Sequence, residues 1–318
     1  MAAGVQFPYP RKTSDSSASY PQQRSSPSRF SIKKLASYTL GIAALVWLVL
    51  WLFRSPATTS VVAPLGTPPV VIVTTIPPGL SEKHKAIIKE NRLDYAKRHG
   101  YGTFFPNTTD YELAPGTPST WSQVPALRHA MTLYPYTEWM WFLSSTALIM
   151  DPTKSLYTEI LDPRKIESLM IVDRPVVPPD SVIKTFSHLK GERVKFILTQ
   201  DKDGLADESM LIQTGDWAKF FLDGWYDPLY RSYNFQKAQR HALEHMVQWH
   251  GTVLAKMVLI GQRLMNGYAG EAPGAGQDGQ YQSGDFVVNC FGCASDPKRS
   301  CDEEMAPYVK TWREATKQ

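Results

Sequence analysis

The sequence predicts an α/β domain, a sheet with helices on its faces, behind a single N-terminal transmembrane helix. Three observations lead there. The runs Val70-Val71-Ile72-Val73-Thr74-Thr75 and Trp139-Met140-Trp141-Phe142-Leu143 have the make-up of strands buried on both faces. Helical segments alternate with such runs in strand, helix, strand order. Ahead of them, Leu35 to Phe53 runs 19 residues without a charge.

Composition narrows the class. Over 318 residues, 43% are hydrophobic and 20% charged, which excludes wholesale disorder, collagen and coiled coil. Lys+Arg exceed Asp+Glu by 34 − 30 = 4, too weak a bias to point to nucleic acid. Three cysteines exclude a disulfide-dense miniprotein and a zinc site built of cysteine alone.

Residues 1–34 are polar, rich in Ser and Pro, and basic; such a tail buries too little apolar surface to order itself. The uncharged run 35–53 is long enough to cross a hydrocarbon core of about 30 Å as a helix. Lys33 and Lys34 flank its near end, and Trp47, Trp51 and Phe53 gather at its far end, so the tail is expected in the cytosol. A cleaved signal peptide fits less well, because the run is long and 34 residues precede it. Residues 54–69 read as a Pro/Thr/Ser-rich stalk, and residues 70–318 as a lumenal domain of a type II membrane protein. Asn107-Thr108-Thr109 is a glycosylation sequon there. Cys293 and Cys301 flank a Pro-containing loop that a disulfide could close, leaving Cys290 free.

Along the domain, Ser81 caps an expected helix ending near Gly100. Thr120 to Tyr134 predicts a second helix, interrupted early by Pro125. Further strands are expected at Leu148-Ile149-Met150, Leu169 to Val172, Val194 to Thr199 and Phe286-Val287-Val288, with a helix from Asn234 to His250. Ala272 to Ser283, rich in Gly and Gln, reads as a loop.

His241-Ala-Leu-Glu244-His245 fits the H-x-x-E-H pattern of inverted zinc metalloproteases, whose two histidines lie one helical turn apart. Three fixed positions are few, and the competing reading is an amphipathic helix packing Ala242, Leu243, Met246 and Val247.

A distributed set of motifs is more specific. Asn91-Arg-Leu-Asp-Tyr95-Ala-Lys-Arg-His-Gly-Tyr101, Trp121-Ser-Gln123, Trp139 to Met150, Gln200-Asp-Lys-Asp-Gly204-Leu205, Leu222-Asp223-Gly-Trp225 and Gly284-Asp-Phe-Val-Val288 with Gly292-Cys293 stand in fixed order. Together they resemble the fungal Golgi family of galactosyl- and mannosyltransferases, nearest the α-1,6-mannosyltransferase subunits of the mannan polymerase complex, over about Val70 to Tyr308.

The resemblance implies a GT-A fold, a Rossmann-like sheet binding a nucleotide sugar. It implies transfer of mannose from GDP-mannose, or galactose from UDP-galactose, to a mannan acceptor in the Golgi, with Mn2+ and with other mannosyltransferase subunits as partners. A divalent metal held by carboxylates would stabilise the departing diphosphate. The family's Asp-x-Asp falls at Ser144-Ser145-Thr146, its ligand His at Asn289 and its Trp-x-Lys lysine at Gln123. Neutral oxygens hold a hard dication poorly. The metal positions are thus Ser144, Thr146 and Asn289, without competent ligands.

By the same resemblance Thr74, Asn91 and Tyr95 begin the donor pocket, Gln200, Asp201 and Gly204 approach the donor sugar, and Asn289 and Lys298 border the diphosphate. Asp201 and Asp223 are the candidate catalytic carboxylates. Glu208 reads as solvated, and Trp225 and Trp249 as core. Three accounts remain: metal-free transfer with Arg128, Lys298 or Arg299 offsetting the diphosphate, a non-catalytic subunit of a hetero-complex, or a subfamily with a different metal site.

Overall fold

The computed structural model describes residues 32–52, 63–178, 181–233, 235–270 and 277–316. The expected tail up to residue 31, most of the stalk (53–62) and residues 272–276 of the expected loop lie outside them. Two compact units are separated near residue 60. The first contains helix α1 (Ile32–Leu52), with Leu45, Trp47 and Trp51 exposed. Among the described residues, no helix is long and apolar enough to cross a membrane.

The second unit opens with β1 (Val70–Val73), α2 (Glu82–His99) and β2 (Gly102–Phe104). Ser81 caps α2 by accepting from the His84 N–H, and Gly100 ends it in the left-handed conformation at φ 68°. The buried stripe of α2 is His84, Ile88, Asn91, Arg92, Tyr95 and Ala96, a helical spacing that turns three polar side chains inward. There follow α3 (Gln123–Leu133), β3 (Trp139–Leu143), β4 (Ala147–Ile149), α4 (Pro163–Leu169), β5 (Phe196–Asp201) and β6 (Gly204–Gln213). Pro125 does not interrupt α3: it stands in the first turn, where a missing N–H costs nothing. The chain continues through α5 (Asp216–Trp225), α6 (Pro228–Ser232), α7 (Ala238–Trp249), α8 (Gly251–Leu254), β7 (Met257–Ile260), β8 (Gly267–Tyr268), β9 (Val287–Asn289) and α9 (Cys301–Thr316).

Six strands form the main sheet in the order β2-β1-β3-β6-β5-β7, and β4-β9-β8 form a second. In the main sheet β1 runs parallel to β2 and β3, and β5 parallel to β7; β6 is antiparallel to both β3 and β5. Alternate residues of one strand feed opposite cores. Val71 and Val73 pack with Leu127, Phe221 and Trp225, while Val70 and Ile72 pack with Tyr95, Trp139 and Trp141. The expected strand Leu169–Val172 does not form. Leu169 ends α4, and of the rest only Ile171 pairs, by a single antiparallel bridge to Leu259 on the outer edge of β7. The helix expected from Asn234 begins at Ala238, and Asn234 lies outside the described residues.

Two local features position the polar side chains at this end of the sheet. The register between β5 and β6 slips: Leu198 faces Met210, but Thr199 faces Ala206. Asp207, Glu208 and Ser209 therefore bulge out of the β5 ladder, while the Glu208 carbonyl accepts from the Ser144 N–H at 2.8 Å beyond the end of β3. At the preceding turn Gly204 has φ 140°, and Glu244 of α7 rests against it, its Oε1 accepting from the Leu205 N–H at 3.1 Å. A disulfide joins Cys293 to Cys301, and Cys290 is buried as a free thiol.

Gly204→Ala puts a Cβ against Glu244 in a backbone region that side chains avoid. A loss of about 2–4 kcal/mol is expected in urea unfolding; a change under about 0.5 kcal/mol would refute this account of the turn.

Candidate functional site

The C-terminal ends of β1 and β3, the β6 bulge and the disulfide loop enclose a cleft of about 910 Å³. Ser144, Ser145, Thr146, Gln123, Asp207 and Glu208 are among its lining residues. Its floor is fixed by backbone bonds: Thr74 Oγ1 donates to the Leu143 carbonyl at 2.8 Å, and Ser144 extends β3 along β6. Parallel strands end together here, and chain leaving them must turn, so polar loop groups collect at one edge of the sheet.

One hydrogen-bonded chain crosses the site. Ser144 Oγ and Thr146 Oγ1 are 2.9 Å apart, and Thr146 Oγ1 donates to Asn289 Oδ1 at 2.7 Å. Asn289 Nδ2 donates to Asn266 Oδ1 at 2.8 Å, and Asn266 Nδ2 to Glu208 Oε2 at 3.2 Å. Tyr268 donates to Asp201 Oδ2 at 2.9 Å, with its hydroxyl 3.4 Å from Glu208 Oε2, and Arg240 pairs with Asp201. Three positions far apart in sequence, 144, 146 and 289, thus form one contact. A chain of neutral groups satisfies them all.

The β6 side of the cleft is acidic. Asp201, Asp207, Glu208 and Glu244 gather around the single guanidinium of Arg240, which lies 4.0 Å from Glu208 and 3.7 Å from Glu244. Burial, then the neighbouring Asp207, raises Glu208 to about 7. Burial also raises Asp207 and Glu244. Although desolvation opposes it, the Glu208 and Asp201 carboxylates hold Arg240 above its ordinary range.

The α2 side is cationic. Arg92, fully buried, donates from Nη2 to the Ser144 carbonyl at 2.8 Å and from Nη1 to Asn91 Oδ1 at 3.0 Å. No carboxylate pairs with it among the described residues, its Nε has no partner, and burial lowers it to about 9. His84 joins Asp302 Oδ1 at 3.2 Å to the Ser145 carbonyl at 2.9 Å.

Of the residues singled out from sequence, Ser144, Thr146 and Gln123 line the cleft, and Thr74, Asn289 and Asp201 lie beneath it. Gln123 Nε2 donates to Asp207 Oδ2 at 2.6 Å. The others lie elsewhere. Asn91 bonds the Ile149 backbone, Tyr95 donates to the Lys154 carbonyl at 2.8 Å, and Gln200 holds the Pro175 carbonyl at 2.8 Å. Gly204 makes the turn under Glu244. Asp223 sits on α5 in a separate cavity of about 360 Å³, 3.2 Å from Arg128. Lys298 is exposed and outside the cleft lining, while Arg299 lines it but is held by Glu304. Asn107 is exposed and takes part in a cap with Asp110. Trp225 is core, whereas Trp249 is 73% exposed, because α7 ends there facing outward.

Sequence reasoning missed Asp207, His84 and Arg92, and took Glu208 for a solvated group. Two carboxylates inside an otherwise apolar strand were the available signal for the first and last. In the H-x-x-E-H segment, Glu244 turns inward to Leu205, and His245 packs against Tyr230 and Trp249. Among the described residues, no group of three or more His, Cys, Asp or Glu could hold a metal. The hydroxyl, hydroxyl and amide at 144, 146 and 289 bond one another and carry no charge, so this donor set does not fit manganese.

Residues 66–301 match the galactosyl transferase GMA12/MNN10 family. The chain belongs to that family. An uncharacterized α-1,2-galactosyltransferase of Schizosaccharomyces pombe is 34% identical over 206 residues, 65% of this chain and 62% of that protein. A probable α-1,6-mannosyltransferase of Saccharomyces cerevisiae, MNN11, is 30% identical over 260 residues, 75% of this chain and 60% of that one. The chain spans about three fifths of the length of the curated relatives it matches. Among solved structures, a glycosyltransferase involved in glycosylation of the major capsid of PBCV-1 aligns at TM-score 0.49 and 11% identity, over 76% of this chain and 100% of that one. Family membership removes the zinc-protease reading.

The raised Glu208 gives a signed pH dependence. Its folded value of about 7 lies above the ordinary 4.5, so the stability it contributes is present at low pH and is lost as pH rises through 7. Relative to Glu208→Gln, the native chain is expected to lose on the order of 1–3 kcal/mol between pH 5 and pH 8. Parallel stability curves for the two proteins would refute it.

Proposed function

We propose that this chain is a Golgi glycosyltransferase of GT-A type that takes a nucleotide-sugar donor in the cleft and serves the extension of N-linked mannan. The observation that carries the reading is the convergence of 144, 146 and 289, the positions the family resemblance assigns to the diphosphate, at one edge of a mixed sheet. In such a transfer the anomeric carbon leaves the diphosphate for an acceptor hydroxyl, and the charge gathering on the diphosphate must be stabilised.

GDP-mannose is the proposed donor, with relatives named as α-1,6-mannosyltransferases in its favour. UDP-galactose is the alternative, favoured by relatives named as galactosyltransferases. Either way, the chain acts beside other mannosyltransferase subunits. Residues 35–53 are its membrane anchor, on the strength of their uncharged length and the Lys33-Lys34 flank. A second reading, a subunit that binds without transferring, is favoured by the neutral Ser144-Ser145-Thr146.

Two measurements test this. The full chain in detergent is offered GDP-mannose and UDP-galactose with an α-mannoside; hexose transfer from one donor is expected. A folded chain that turns over neither supports the second reading. In membranes, the full chain is expected to resist alkaline extraction and a chain lacking 35–53 to be released; release of both would end the anchor reading.

A further inference from the structure

Resting on the reading that the cleft takes a nucleotide sugar, we propose that Arg92 and the Ser144–Ser145 peptide form a metal-free site for the donor's diphosphate. A buried guanidinium without a counter-charge is costly, and native chains keep such a group only where something compensates it. Among the described residues Arg92 meets only neutral oxygens, the Ser144 carbonyl and Asn91 Oδ1, and its Nε is left over.

The geometry carries that charge toward the cleft. The Ser144 carbonyl accepts from Arg92 Nη2 and from the Ala147 N–H at 3.1 Å. A trans peptide sets N–H opposite C=O, so the Ser145 N–H points away from Arg92. Ser145 lines the cleft, and its N–H meets no acceptor among the described residues. His84 holds the next carbonyl, that of Ser145, at 2.9 Å. Two adjacent carbonyls are thus drawn toward α2, and the hydroxyls of Ser144 and Thr146 stand beside the free N–H. A diphosphate there would accept from the free N–H and, in exchange for its bond to Thr146 Oγ1, from the Ser144 hydroxyl, with Arg92 behind it as counter-ion. Across the cleft, Glu208 is held toward its neutral form, which limits repulsion of an anion.

The cations suggested by sequence do not serve. Arg128 is paired with Asp223 in another cavity, Arg299 is neutralised by Glu304, and Lys298 does not line the cleft.

The test is calorimetric binding of GDP, UDP and inorganic pyrophosphate to the full chain, in EDTA and in Mn2+, together with thermal unfolding. The native chain is expected to bind pyrophosphate and one nucleotide equally well under both conditions. Ser144→Asp places a carboxylate on the residue whose carbonyl Arg92 holds, where it competes with an anion for that charge. It is expected to unfold several degrees higher than the neutral isostere Ser144→Asn and to bind pyrophosphate in EDTA about tenfold more weakly than it. Binding that requires Mn2+ overturns the proposal while leaving the glycosyltransferase reading standing. Absence of binding in both conditions overturns both. Equal melting and equal affinity of the two variants would show that Arg92 is not the charge the anion uses.

Discussion

The slipped register between β5 and β6 is the constraint on which the site depends. Three residues of β6 lose their β5 partners while the same strand keeps its ladder to β3. A regular strand would send Asp207 and Glu208 to opposite faces of the sheet; the bulge lets both line one cleft. It also places the Glu208 carbonyl where it extends β3 by one bond, through the Ser144 N–H. Acidic wall and neutral triplet are therefore fixed to each other by backbone, and α7 reinforces the turn through Glu244 and Leu205.

Around that bulge the charges are segregated. Four carboxylates crowd the Arg240 guanidinium on the β6 side, and on the α2 side Arg92 stands without a carboxylate among the described residues. Between them runs a chain of hydroxyls and amides from Ser144 through Asn289 to Asn266. In a low-dielectric site, carboxylates on β6 beside an uncharged triplet govern what each wall can hold. The uncharged centre offers a hard dication only neutral oxygens.

Much of this architecture is legible in the sequence. The β-branched run at Val70 and the aromatic run at Trp139 are buried strands as expected, and Ser81 and Gly100 bound α2 as their chemistry requires. Thr146 and Asn289, singled out together from the sequence by resemblance, are in contact although 143 residues separate them. Other features are not legible. Strand β6 carries Asp207 and Glu208 in its interior, which masks its apolar pattern, and α2, though legible from its caps, buries His84, Asn91 and Arg92 where an apolar stripe would be expected.

By itself the sequence determined the strands β1 and β3 and the helix α2, because local burial pattern and capping are written in neighbouring residues. It also determined that Ser, Thr and Asn stand at 144, 146 and 289, a matter of residue identity alone. Only the tertiary structure decided which charges face the cleft. Asn91, Tyr95 and Gln200 turned out to bond backbone elsewhere, Asp223 to face Arg128, and Glu208 and Arg92 to stand on opposite sides of the triplet. The physical reason is that a side chain's role depends on what a distant strand or helix brings within a few ångströms of it. A one-residue change of register is enough to reverse that.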